Sequence, residues 1–142
     1  MKKIYILIIL FPLIMAIYAN AFEDVPNVAF QRGEKLTYVV YYKTFLGKIK
    51  AGEITLEVKN DNRKFNGRST YHIEAIGKSK HSLKWLMKIE DQFESFIDEK
   101  AMFPWLFTSK TREGDRRKDD KVEFSPQKNM AVSKKASKKT RV

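Results

Sequence analysis

Between positions 36 and 43 apolar residues take every even place (Leu36, Tyr38, Val40, Tyr42), and Val39 and Tyr41 add apolar groups on the other side. Period-two alternation with β-branched and aromatic content predicts a strand that is apolar on both faces at its centre. Leu46, Gly47 and Lys48 then make a short turn. From Ile49 the apolar positions are odd (Ile49, Ala51), but after Gly52 they are even (Ile54, Leu56, Val58). A change of parity at a glycine marks a β-bulge, so 48–59 reads as one long, bent strand.

Asn60, Asp61 and Asn62 are turn residues, and Asn66-Gly67 tolerates the positive φ angles of a tight hairpin. The stretch 70–77 alternates again, with Tyr71, Ile73 and Ala75 on one face and His72, Glu74 and Ile76 on the other. A strand over 91–98 sets Phe93 and Ile97 together, and Phe103, Trp105 and Phe107 form an aromatic stripe at period two. Glu113-Gly114-Asp115 turns the chain into 119–124, where Val122 and Phe124 face inward. Short strands separated by turns predict a mainly β fold, an antiparallel meander forming an open or partial barrel. The stretch 82–90 fits a strand through Leu83, Trp85, Met87 and Ile89, or a helix through Leu83, Leu86 and Met87. Either way it is amphipathic, because Lys80, Lys84 and Lys88 are spaced by four. It reads as an interfacial lip touching lipid headgroups or as a short element packed across the sheet with its lysines in water.

Composition changes this picture at both ends. The chain has 142 residues with 28 Lys and Arg against 17 Asp and Glu, and no cysteine. Without cysteine there is no disulfide, thiol nucleophile, cysteine-bound zinc or acylated lipoprotein cysteine. Met1-Lys2-Lys3, an apolar run from 4 to 19 and Ala19-Asn20-Ala21 have the layout of a signal peptide covering 1–21, with Phe22 as the first mature residue. The alternative, an uncleaved anchor, needs ~20 apolar residues, whereas this run has 16 and contains Pro12. Periplasmic or secreted localisation follows, and with it no nucleic-acid partner. Removing Lys2 and Lys3 leaves 26 bases against 17 acids; six of those bases, and no acid, lie in 125–142. A domain over 22–124 is therefore nearly balanced. The Lys-rich stretch 125–142 carries too few large apolar residues to offset its ordering entropy and is expected to be a disordered basic tail. It is read as a solvated end or as a contact for an anionic membrane surface.

Chemistry is sparse. His72 and Glu74 share a strand face, but a metal site needs three or four ligands, and His81 is the only other histidine. Asp91 and Glu94 are candidate paired carboxylates for a hydrolase, yet on a strand they point to opposite faces. Ser95 and Ser109 lack a GxSxG setting, and there is no Gly-rich phosphate loop. No catalytic residue, metal or cofactor is assigned, and an enzyme is disfavoured. The aromatics, Phe93, Phe96, Phe103, Trp105 and Phe107 with Tyr38, Tyr41 and Tyr42, make either an ordinary core or the wall of an apolar cavity.

In order along the chain, Phe30, Gly33-Glu34-Lys35-Leu36-Thr37-Tyr38, Ala51-Gly52-Glu53, Gly67-Arg68, Tyr71-His72-Ile73, and Asp91 through Asp98 make a recognisable set. With Pro104, Arg112-Glu113-Gly114 and Val122-Glu123-Phe124, it resembles the bacterial domain of unknown function 3108 family over 30–124. The resemblance implies an exported envelope β-protein without an assigned activity. It also implies that the family's C-terminal part is missing, leaving an open sheet edge near 119–124. The leading expectation is a non-catalytic β-domain binding an apolar or lipid-like ligand, with Trp85, Met87, Phe103, Trp105 and Phe107 as wall and Lys84 and Lys88 near headgroups. The alternatives are a structural or protein-interaction module pairing through its sheet edge and, more weakly, a carboxylate-dependent hydrolase.

Overall fold

A computed structural model describes residues 23–139 apart from Leu46, Leu86 and Met87. The expected leader at 1–21 and the expected wall residue Met87 therefore lie outside the described residues. The strands are β1 (Lys35–Thr44), β2 (Gly47–Val58), β3 (Lys64–Phe65), β4 (Arg68–Ser79), β5 (Glu90–Asp98), β6 (Pro104–Glu113), β7 (Arg116–Ser125) and β8 (Met130–Lys139). They form one antiparallel sheet in the order β1-β2-β4-β5-β6-β7-β8, with β3 paired to β4 as a side hairpin. Among the described residues β1 and β8 do not pair, so the barrel stays open.

The local signals account for most of this. Val40 pairs Gly52 and Tyr41 pairs Lys50, which leaves Ala51 as the extra residue of a bulge beside the glycine where the parity changed. Gly52 also lets β2 approach β4, since a Cβ there would sit 2.5 Å from the Lys78 carbonyl oxygen. Phe65 pairs Arg68 across Asn66 (φ 49°) and Gly67 (φ 78°), the tight hairpin those two residues favour.

Three expectations are corrected. The described part of the expected disordered tail, 125–139, is ordered: residues 130–139 form β8, paired with β7 from Ser125↔Met130 to Arg116↔Lys139. The chain turns into it through a short 3₁₀ helix, Pro126–Lys128, and Asn129 in the left-handed region. Backbone ladder bonds to a preformed neighbour order a strand that its side chains alone do not order. The exposed edge expected at 119–124 is thereby covered and passes to β8. Secondly, the described residues of 82–89 make no continuous helix or strand; they hold the end of a 3₁₀ turn, His81–Leu83, and a single bridge from Ile89 to Glu113, and Glu90 opens β5. Thirdly, the aromatic stripe is broken. Phe96 pairs Leu106 while Ile97 pairs Pro104, so Trp105 is the extra residue of a second bulge and turns away from Phe107.

Directly paired residues share a face, which separates the two sides of the sheet. One side is apolar: Leu36, Tyr38, Val40 and Tyr42 of β1, Ile54, Leu56 and Val58 of β2, Ile73 and Ala75 of β4, Phe93 and Ile97 of β5, Phe107 of β6, and Val122 of β7. The other side is polar and carries Thr70, His72 and Glu74 beside Phe96 and Asp98. Of the described apolar residues only Val58, Phe96 and Trp105 are buried. The core lies at one end of the sheet, the lower end, where the β3–β4 and β5–β6 turns meet the N-terminal segment. The upper end carries the β1–β2, β4–β5 and β6–β7 turns.

Candidate functional site

The lower end is closed by polar groups gathered around Asp98 and Arg32. Asp98, 1% exposed, receives Arg68 Nε at 2.5 Å and Nη2 at 2.7 Å, Trp105 Nε1 at 3.1 Å, and the amides of Lys100 at 3.0 Å and Ala101 at 2.9 Å. The Arg68 guanidinium, against the opposing effect of burial, holds the Asp98 carboxyl far below the usual carboxylate range. Arg32 ties the N-terminal segment down by donating to the Asp61 and Thr70 carbonyls and pairing with Glu99, with its guanidinium 5.3 Å from the Tyr71 ring centroid.

His72 is buried above this anchor. Its Nδ1 is 2.6 Å from Asp61 Oδ2, its Nε2 is 3.4 Å from Glu94 Oε1, and its ring stacks on Phe96 at 4.3 Å. Glu94 also accepts the Thr108 hydroxyl at 3.1 Å. Glu74 shares the face with His72 but is engaged by Lys59 at 2.6 Å and Gln92 at 2.8 Å. Burial pushes the Glu74 carboxyl up, but the Lys59 and Gln92 hydrogen bonds outweigh it and leave it below its ordinary value. Although His72 and Glu74 share a face, His72 engages Asp61 through Nδ1 and lies near Glu94 instead. Asp61 lies in a turn 11 residues away, and no spacing rule announces that this turn folds back over β4. The cluster fastens the 59–67 connection onto the sheet. Among the described residues no group of three or more His, Asp or Glu is arranged to hold a metal ion.

The apolar side is built differently, with a trough of about 330 Å³. Val40, Ile54, Ala75, Ile89 and Phe93 supply its apolar lining, with Gly52 and Gly77 in its floor. Tyr38 (54% exposed), Tyr42 (67%) and Phe93 (36%) remain open to solvent. Phe93 stacks on Phe107 at 6.4 Å, so Phe107 continues the apolar surface.

The expected wall residues are not brought together. Phe107 lies on the trough face. Phe103 and Trp105 pack edge to face at 4.8 Å at the lower end, where Trp105 is buried against Asp98. Trp85, Lys84 and Lys88 lie at the upper end beside the β6–β7 turn, with Lys84 and Lys88 at 3.4 and 3.8 Å from Glu90. Asp91 and Glu94 occupy opposite faces of β5, where Asp91 accepts the Arg112 amide and Glu94 joins His72. The trough residues missed in the wall set, Val40, Ile54 and Ala75, were legible as strand apolar positions. Sharing one hollow is a property of sheet order.

Comparison with curated proteins and with solved structures finds no match for this chain. One family model does match, described as a protein of unknown function, and it spans residues 37–142. The match begins early in β1 and takes in β8. On the extent of that match, the chain belongs to the DUF3108 family.

Proposed function

We propose that this chain is a non-catalytic exported β-domain that holds an apolar, lipid-like ligand against the open face of its sheet. The observation that carries the reading is the uncovered apolar side of β1, β2, β4 and β5. Monomeric proteins rarely leave a contiguous apolar patch beyond a few hundred Å² exposed. The trough volume of about 330 Å³ falls at the lower end of ligand-site volumes, and its lining is apolar with Lys78 and Asp91 at the margin. The wall of this site is Val40, Ile54, Ala75, Ile89, Phe93 and Phe107. Trp105 belongs to the lower anchor instead. Export rests on the leader pattern at 1–21.

The test is native mass spectrometry of the exported chain purified without detergent, alongside Ile54→Asp. Ile54 is 42% exposed, so the fold should tolerate the charge while the trough does not. A lipid-sized adduct on the wild type that the folded variant lacks supports the reading. A bare wild-type ion refutes it.

A second reading has one observation in its favour. β1 is an open edge with no charge between Lys35 and Lys43, and Val39 and Tyr41 are exposed on its other face. β8 carries the exposed Lys134 and Lys135 within it. A partner strand adding to the sheet would choose β1. A dimer or captured strand that Tyr41→Lys abolishes, with no adduct on the wild type, would favour this module.

A further inference from the structure

The upper end of the sheet combines three features that the trough reading does not use. Phe45, at the tip of the β1–β2 hairpin, is 95% exposed, and Trp85, in the β4–β5 connection, is 81% exposed. The hairpin overhangs: β4 ends with Ser79 opposite Gly52, so the five residues 47–51 run on beyond it, roughly 16 Å at strand rise. Charge is distributed unevenly between the two ends. The upper segments 43–50, 78–90 and 110–118 hold twelve Lys and Arg against three carboxylates. The lower segments 23–34, 58–68, 98–105 and 125–130 hold seven against six.

We infer that the upper end is a docking surface for an anionic lipid bilayer, with Phe45 and Trp85 entering the headgroup layer and the surrounding lysines and arginines facing its phosphates. An anionic protein or polymer would use the cations but gives no role to two large aromatics at loop tips. A bilayer interface uses both, because amphipathic rings settle at headgroup level and cations add attraction to an anionic leaflet. Lys43 and Lys48 flank Phe45, Lys84 and Lys88 flank Trp85, and Arg116 and Arg117 follow the adjoining β6–β7 turn. The inference goes beyond the trough reading and does not depend on it.

The experiment is co-sedimentation of the exported chain with vesicles of equimolar phosphatidylcholine and phosphatidylglycerol, read beside tryptophan emission. The expected result is binding that phosphatidylcholine alone does not support, that high salt reverses, and that shifts the emission to the blue. Trp105 is already buried, so Trp85→Ala should remove the shift while the variant still folds. Lys43→Gln with Lys48→Gln should weaken binding about fivefold per lost charge. Lys64→Gln with Lys128→Gln, at the lower end, should leave it unchanged. Equal binding to neutral vesicles, equal loss from both pairs of variants, or a blue shift that survives Trp85→Ala would overturn the assignment. Vesicle binding by a chain that carries no lipid adduct would retain this inference and remove the trough reading. An adduct without vesicle binding would do the reverse.

Discussion

Asp98→Asn is the sharpest perturbation of the lower anchor. Oδ1 accepts from Arg68 Nη2 and the amides of Lys100 and Ala101, while Oδ2 accepts from Arg68 Nε and Trp105 Nε1. An asparagine keeps one acceptor oxygen and replaces the other with an NH₂ donor. Placed with its oxygen toward the Lys100 and Ala101 amides, it aims N–H groups at Arg68 Nε and at the buried Trp105 indole. Breaking one side of a buried charge pair costs ~3–5 kcal/mol. Arg68 is 32% exposed and recovers some hydration, so the expected loss is nearer the lower figure, about 3 kcal/mol. Urea denaturation at neutral pH should show a lower midpoint with an unchanged slope. The pH dependence supplies a second, signed check. Because the folded-state Asp98 carboxyl is depressed below its unfolded value near ~3.9, its contribution is complete above about pH 4 and is lost as pH falls toward the folded value. The wild type should therefore lose stability below about pH 4, and Asp98→Asn should show a shallower loss. A destabilisation under ~1 kcal/mol, with an acid limb identical to the wild type, would refute the reasoning.

Gly52→Ala should destabilise by ~1–3 kcal/mol, because its Cβ meets the Lys78 carbonyl, whereas Gly77→Ala has nothing within 4 Å and should cost little; urea midpoints of the pair decide it. Asp61→Ala should cost ~1–3 kcal/mol and speed hydrogen exchange in 59–67, because it strips the buried His72 Nδ1 of its partner. Trp105→Phe should lower stability through the lost Asp98 hydrogen bond yet leave any trough adduct in native mass spectra unchanged, since the indole lies off the trough face. Tyr41→Lys should suppress self-association at high concentration, measured by sedimentation velocity, by placing a charge at the centre of the open β1 edge.

The amino-acid sequence by itself determined the elements that local chemistry controls. Period-two alternation placed β1, β2, β4 and β5, the parity change placed the bulge beside Gly52, and Asn66-Gly67 placed the tight hairpin. Each depends on neighbours within a few residues, so each is visible along the chain. Only the tertiary structure decided what depends on partners far away in sequence. β8 is ordered by backbone bonds to β7 despite its lysines, and the bulge at Trp105 turns an apparent wall residue toward Asp98. Asp61 folds back to His72, and three turns gather the aromatics and cations of the upper end. Side-chain period records which face a residue occupies. Which strands adjoin, and therefore which faces become core, trough or rim, is settled by long-range pairing that leaves no period in the sequence.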